Sequence, residues 1–261
     1  MKKSLIALTL TALSMSASAT MKSHLVLVHG AHFGGESWQQ VEAQLPASLN
    51  TIAVNLPGRS EKEDATHIGL SNTAQALCNT LTPLSGKVHL AAHSQGGAIV
   101  NHALGICPEV NVSSITYISA VAPLIGEKAF QNLSQQDENH YLAAIRYNEN
   151  THRMEIFDTQ RFSAEFAQDA TPAQTQRLIN TAINEPAHIA EEKVSFNQQH
   201  FNAIDKHYVF TLQDRIISLA SQVRIASQIH PNQIHVIDSG HSPMATHSDE
   251  LAEILTLIAS K

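Results

Sequence analysis

Three short apolar runs, each followed by a turn and then by residues at helical spacing, limit this chain to a sheet with helices packed on it. His24-Leu25-Val26-Leu27-Val28-His29 stops at Gly30, and Thr51-Ile52-Ala53-Val54-Asn55-Leu56 stops at Pro57-Gly58. Val88-His89-Leu90-Ala91-Ala92 runs into Ser94-Gln95-Gly96-Gly97. Continuous apolar runs of this length, bounded by glycine or proline, read as buried strands. Between them the period changes. Ser37 is placed to cap a helix carrying Trp38, Val41 and Leu45 on one face. Ser71 is placed to cap another carrying Ala74, Leu77, Cys78 and Leu81. A helix over Gly97 to Ile106 and a fourth strand over Ser114 to Ala120 continue the series. Alternation of this kind gives a parallel sheet covered on both faces, an α/β architecture.

The rhythm then breaks. From about Leu124 to Lys206 no strongly apolar strand appears, and the residues read as polar helices and turns. Thr171-Pro172 is a helix start, cap then proline, leading into Leu178, Ile179, Ala182 and Ile183. The sheet pattern resumes at His207 to Thr211 and at Gln233 to Ile237. A last helix, Glu250 to Ala259, carries Leu251, Ile254, Leu255 and Ile258 on one face. The segment 124–206 is therefore expected to be a mainly helical cap over the carboxyl ends of the strands, where ligands bind in open α/β sheets.

The N-terminus has the three parts of a secretory signal: Met1-Lys2-Lys3, an apolar core from Leu5 to Leu13, and Ala17-Ser18-Ala19. The core is too short to span a bilayer, which takes about 20 apolar residues. Cleavage is expected after Ala19, with export to the periplasm or the medium, leaving residues 20–261 as one domain. Loss of Lys2 and Lys3 moves the net charge from −7 to −9. An acidic chain without a basic patch is not built for nucleic acid or anionic membrane surfaces. Cys78 and Cys107 would share an oxidising compartment, either as a bridge or as two buried thiols. Two cysteines make no zinc site by themselves, and none of the 16 histidines stands in a compact ligand motif, so no metal is expected.

Between the third strand and the helix after it, Ala92-His93-Ser94-Gln95-Gly96 has the spacing of a nucleophile elbow, with alanine in the first small position. Two further strand ends carry candidate partners. Asp214 follows the strand ending at Thr211, and His241 follows the strand ending at Ile237. Serine attack on an acyl group needs an imidazole to take the hydroxyl proton and a carboxylate to hold that imidazole in the right tautomer. The order Ser94, Asp214, His241 brings all three to one sheet edge. Asp238 is the rival acid, but it follows the wrong strand. A surface ion pair with Arg215 is the other use for Asp214. An oxyanion hole would come from the backbone amides of Gln95 and of Ala31, in the loop after the first strand.

These residues, together with Leu27-Val28-His29-Gly30-Ala31, Gly34-Gly35, Ser37-Trp38, Tyr117-Ile118-Ser119-Ala120, Asp169-Ala170-Thr171-Pro172, Glu185-Pro186 and Gly240-His241-Ser242-Pro243-Met244, resemble the plant methyl esterase and hydroxynitrile lyase family. The similarity extends from about His24 to Ile258. It implies the α/β-hydrolase fold, a Ser94–Asp214–His241 triad, Ala31 and Gln95 as oxyanion donors, no cofactor, and a small carboxylic ester as substrate. Lyases of that family carry threonine where Gly30 stands and lysine where Ser242 stands, so their absence points to ester hydrolysis. Gln95 replaces the usual apolar residue. Glu36 replaces an aromatic, from which a more polar pocket entrance is expected. Two other readings keep the same residues: a lyase or other non-hydrolytic enzyme, and a ligand-binding protein with an idle pocket.

Overall fold

The computed structural model describes residues 22–261. The expected signal segment 1–19 and its expected cleavage point after Ala19 lie outside the described residues. Strand β1 (Ser23–Val28) lies between β2 (Asn50–Ala53) and β3 (Lys87–His93), parallel to both. Leu25, Val26, Leu27 and Val28 are all buried, as a strand covered on both faces requires. β2 ends three residues before its apolar run does. The remainder leaves the ladder to hold the loop after β1: Asn55 Oδ1 accepts from the Gly35 amide (2.8 Å), and the Leu56 amide donates to His29 Nε2 (3.3 Å).

Two expected caps are corrected by the structure. Ser37 sits inside a 3-10 turn, Gly35–Trp38, where its hydroxyl bonds back to the Gly34 carbonyl (2.7 Å), and only the short α1 (Gln39–Glu42) follows. Ser71 lies in the first turn of α2 (Leu70–Leu81), whose N-cap is Gly69. Glu192 engages the Ser71 hydroxyl, and the Asn72 side chain accepts from the Gly69 amide (2.9 Å). α3 (Gly96–Ile106) packs beside α2, and Cys107, just past its end, is bridged to Cys78 across a Cα separation of 5.9 Å. The choice between a bridge and two thiols is thus decided for the bridge. β4 (Val112–Ile118) follows.

The chain then enters the insertion. α4 (Gln135–Leu142), β5 (Ile145–Asn148), β6 (Arg153–Ile156), α5 (Thr159–Phe166), α6 (Pro172–Thr181), β7 (Glu185–Pro186) and α7 (Gln198–Ala203) make it up. Thr171 caps α6 ahead of Pro172, accepting from the Gln174 amide (3.4 Å). The helices-and-turns reading misses a three-stranded antiparallel sheet, ordered β5-β6-β7. Its strands are two to four residues long and lack an apolar run, so they leave no periodic signal.

β8 (Asp205–Thr211), α8 (Leu219–Ile229), β9 (Gln233–Ile237), α9 (Pro243–Thr246) and α10 (Ser248–Ala259) complete the chain. The main sheet runs β2-β1-β3-β4-β8-β9 with every pair parallel. All strands therefore end at one edge, and β3, β8 and β9 each release a candidate residue there. Among the described residues, no helix is long and apolar enough to cross a membrane.

Candidate active site

Ser94 occupies the turn between β3 and α3 with φ at +52°, a left-handed conformation that costs a non-glycine residue energy and persists only where its surroundings enforce it. Three backbone bonds do so. Its amide donates to Ile118 O, and its carbonyl accepts from the Gly97 and Val121 amides, all at 3.2 Å. The two glycines that follow are required by close approach rather than by conformation. A Cβ on Gly96 would lie 2.8 Å from the carbonyls of Val28 and His29, and one on Gly97 only 2.0 Å from that of Val121. Ala92, the departure from the usual glycine, is buried without strain inside β3.

The structure brings the three expected side chains together. Ser94 Oγ is 2.9 Å from His241 Nε2, and His241 Nδ1 is 2.8 Å from Asp214 Oδ2. The carboxylate can only accept, so Nδ1 carries the proton and Nε2 presents its lone pair to the serine hydroxyl. Asp214 is itself saturated. Oδ1 accepts from the Ile216 and Ile217 amides (2.8 and 2.9 Å), and Oδ2 also accepts from the Thr211 hydroxyl (3.0 Å). The rival Asp238 points elsewhere and accepts from Gln213 (2.8 Å) at the surface. The Phe166 ring meets the His241 imidazole edge-on with centroids 5.6 Å apart.

His93, inside the elbow motif, has a use that sequence reasoning missed. Its Nε2 donates to the His241 carbonyl (2.7 Å), fixing the loop that carries the imidazole. Burial, with the neighbouring His241 adding to it, drives its pKa well below 6.5, so it stays a neutral prop. His29 is likewise neutral. Burial and the nearby Arg59 lower its pKa to about 3, and it bonds to Gly30 O (3.0 Å) while accepting from the Leu56 amide.

The two candidate oxyanion donors flank the serine. Ala31 lines the same cavity as Ser94, and Gln95 directly follows it in the chain. Among the described residues, neither the Ala31 nor the Gln95 amide donates to a protein acceptor. Their loops are not free, however. The carboxylate of Glu185, from β7, accepts from the His32 amide (2.9 Å), from Gln95 Nε2 (2.9 Å) and, through both oxygens, from Arg59 (2.6 and 2.9 Å). Burial pushes the Glu185 pKa up, but Arg59 and these hydrogen bonds outweigh it, so the group is held ionised below the usual range. Nothing in the charge pattern announces this ion pair, whose members are 126 residues apart.

Ser94 opens into a cavity of about 760 Å³, lined from the insertion by Phe130, Leu133, Tyr141, Met154 and Phe166. That is ample for a small organic ligand. Glu36 does not line it. This exposed residue borders a separate depression of about 250 Å³ beside Arg177, which corrects the expectation of a more polar entrance at that position. Ser242 is fully buried, and its hydroxyl has no partner among the described residues.

Residues 25–254 match the family described as the alpha/beta hydrolase family. Methylesterase 3 of Arabidopsis thaliana is 25% identical over 258 residues, covering 92% of this chain and 97% of its own. Two solved structures share the fold. One is a methylesterase protein, MES16, from Arabidopsis, with a TM-score of 0.78, 19% identity, and 91% of this chain and 99% of that one covered. The other is a pyrethroid hydrolase from Sphingobium faniae, with a TM-score of 0.74, 18% identity, and 91% and 97% covered.

Proposed function

The chain belongs to the alpha/beta hydrolase family, and from that premise we propose that it is a serine carboxylic ester hydrolase working through an acyl-enzyme. The observation that carries this reading is the hydrogen-bonded relay Ser94–His241–Asp214, with bonds of 2.9 and 2.8 Å, whose serine lines a mainly apolar chamber. Ser94 Oγ attacks the ester carbonyl as its proton passes to His241 Nε2. Negative charge builds on the carbonyl oxygen, where the amides of Ala31 and Gln95 would stabilise it. His241 then gives the proton to the departing alcohol, leaving the acyl group on Ser94. A water, deprotonated by the same nitrogen, attacks the acyl-enzyme and releases the acid. Asp214 stabilises the imidazolium in both halves.

The chamber favours an ester with an apolar body and no negative charge, since Phe130, Leu133, Met154 and Phe166 line it and the charged side chains among its lining, Glu138 and Glu191, are carboxylates. The names of the similar proteins, methylesterase and pyrethroid hydrolase, agree with an ester substrate. The lyase reading is not favoured. A Cβ at Gly30 would lie 2.7 Å from Ser94 Cβ, so the threonine of such lyases has no room here, and Ser242 supplies no cation. We also propose export to an oxidising compartment, on the three-part N-terminal signal and the Cys78–Cys107 bridge. Full-length, unprocessed chain in the cytosolic fraction would refute export.

Ser94→Ala is expected to lower p-nitrophenyl butyrate turnover by on the order of 10⁴-fold or more while the far-UV circular dichroism stays unchanged. Undiminished turnover in that folded variant would end the assignment.

A further inference from the structure

We propose that Glu185 is a positioning residue for the oxyanion hole: a single carboxylate brought in by the insertion fastens the neighbours of both amide donors at once. The inference rests on the reading of Ser94 as the acyl nucleophile. Glu185 Oε2 accepts from the amide of His32, the residue directly after Ala31 (2.9 Å). Glu185 Oε1 accepts from the side chain of Gln95, whose backbone amide is the other donor (2.9 Å). No other side chain among the described residues bonds to both sides of the hole.

His32 shows why a fastener is needed. Its φ is +65°, left-handed like that of Ser94. Ser94 is held by bonds to Gly97, Ile118 and Val121, none of them in the insertion, but His32 is held chiefly from the insertion. Besides Glu185, Ile183 bonds to it twice: its amide donates to His32 O (2.9 Å) and its carbonyl accepts from His32 Nδ1 (3.0 Å). A strained backbone that is not over-determined relaxes. Relaxation at His32 would carry the preceding Ala31 amide away from the serine. A shift of about 1 Å in such a group is worth roughly a hundredfold in rate.

Charge explains the fourth member. A bare carboxylate bonded beside both donors would oppose the negative charge they exist to stabilise. Arg59 cancels it through two bonds and reaches on to the Phe33 carbonyl in the same loop (3.0 Å). Arg59 and Glu185 are almost wholly buried, 9% and 3% exposed, and every Glu185 oxygen has two donors. Those are the conditions under which a buried ion pair holds geometry rather than merely costing desolvation. The Gln95 link distinguishes this chain, since the resembling family has an apolar residue there.

Three purified proteins decide the matter: the wild type, Glu185→Gln and Gln95→Leu. Each is titrated with a fluorophosphonate to count active sites, then assayed for kcat per titrated site, KM and inhibition by an alkyl boronic acid, which forms a tetrahedral adduct on the serine. Glu185→Gln is expected to lose about a hundredfold in kcat per site, and Gln95→Leu about three- to tenfold. KM should stay within about twofold, and boronate affinity should fall in step with kcat. A merely structural role would lower the melting temperature and the titratable fraction, leaving per-site kcat and boronate affinity alone. That result in both variants overturns the proposal. If Glu185→Gln does not fold, Gln95→Leu, which keeps the Arg59 pair, decides alone. A wild type that takes no label on Ser94 refutes the hydrolase reading and this inference together. A labelled wild type with unaffected variants refutes only the role of Glu185.

Discussion

The main sheet and the insertion above it are held by different forces. In the sheet, Leu25 to Val28, Leu90 to Ala92, Ile115 and Val209 are buried at 2% exposure or less, and packing does the holding. The insertion has few such runs and is fastened by buried polar groups. Arg153 donates to four carbonyls, those of Gly58, Ser60, Glu63 and Asn184, at 2.7 to 3.0 Å. Asp137 closes the N-terminus of α4 on the Ser134 amide (2.8 Å) and also accepts from the Ser218 amide (2.9 Å), just past the loop of Asp214. Glu185 performs the same kind of attachment at the loop after β1. Ser94, Asp214 and His241 thus stand on an apolar frame, while the insertion that lines the cavity is attached by a few saturated ionic groups. Packing distributes stability over many contacts, whereas polar fastening concentrates it.

The sharpest test of that contrast is to damage each half once. Leu27→Ala removes a wholly buried side chain from the middle of β1 and should cost about 4 kcal/mol. Activity and far-UV signal should vanish together in one urea transition, because the frame unfolds as a unit. Arg153→Met keeps most of the volume but takes the donor from the carbonyls of Gly58, Ser60, Glu63 and Asn184, the first of them buried, which should cost about 3 kcal/mol. Here activity should be lost at lower urea than the far-UV signal, since only the insertion loosens. Coincident transitions in Arg153→Met, or separated ones in Leu27→Ala, would break the comparison.

The same contrast decides what the sequence made legible. The six main strands, the elbow and the order Ser94, Asp214, His241 were readable because each rests on local signals: an apolar run, a glycine pair, a strand end. The insertion's position followed from the interrupted rhythm, but not its small antiparallel sheet, because strands like Glu185–Pro186 have no period to detect. Ser37 and Ser71 were misread as caps for a related reason. A serine's hydroxyl takes whichever partner the fold supplies, here Gly34 O and Glu192. Glu185-Pro186 stands out only as part of the family resemblance, and its pairing with Arg59 was beyond reach, since that is a contact across 126 residues. Local physics is written locally, and long-range polar fastening is not.

Acid should separate the two halves once more, more gently. His29 and His93 on the frame, and His32 where the insertion meets it, are kept neutral chiefly by burial; the pKa is lowered to about 3 for His29, to about 4 for His32, and well below 6.5 for His93. In the unfolded chain each takes a proton near pH 6.5, so the stability they provide is complete above that pH and declines as the pH falls below it. Between pH 7 and pH 6 each should contribute a loss of about 0.7 kcal/mol, about 2 kcal/mol for the three. That corresponds to a fall of roughly 4–8 °C in melting temperature for a chain of this size. Glu185 and Asp137 behave otherwise. Both carboxyls have lowered pKa values, so their contribution persists until the pH drops below the ordinary carboxylate range. The early acid loss therefore belongs to the imidazoles, and only the later one to the fastened insertion. His93→Asn should remove its own share, about 0.7 kcal/mol between pH 7 and pH 6, because an amide at that position does not titrate. A melting temperature that stays flat from pH 7 to pH 6 would show that these rings are not held neutral, and would remove the frame's share of the contrast.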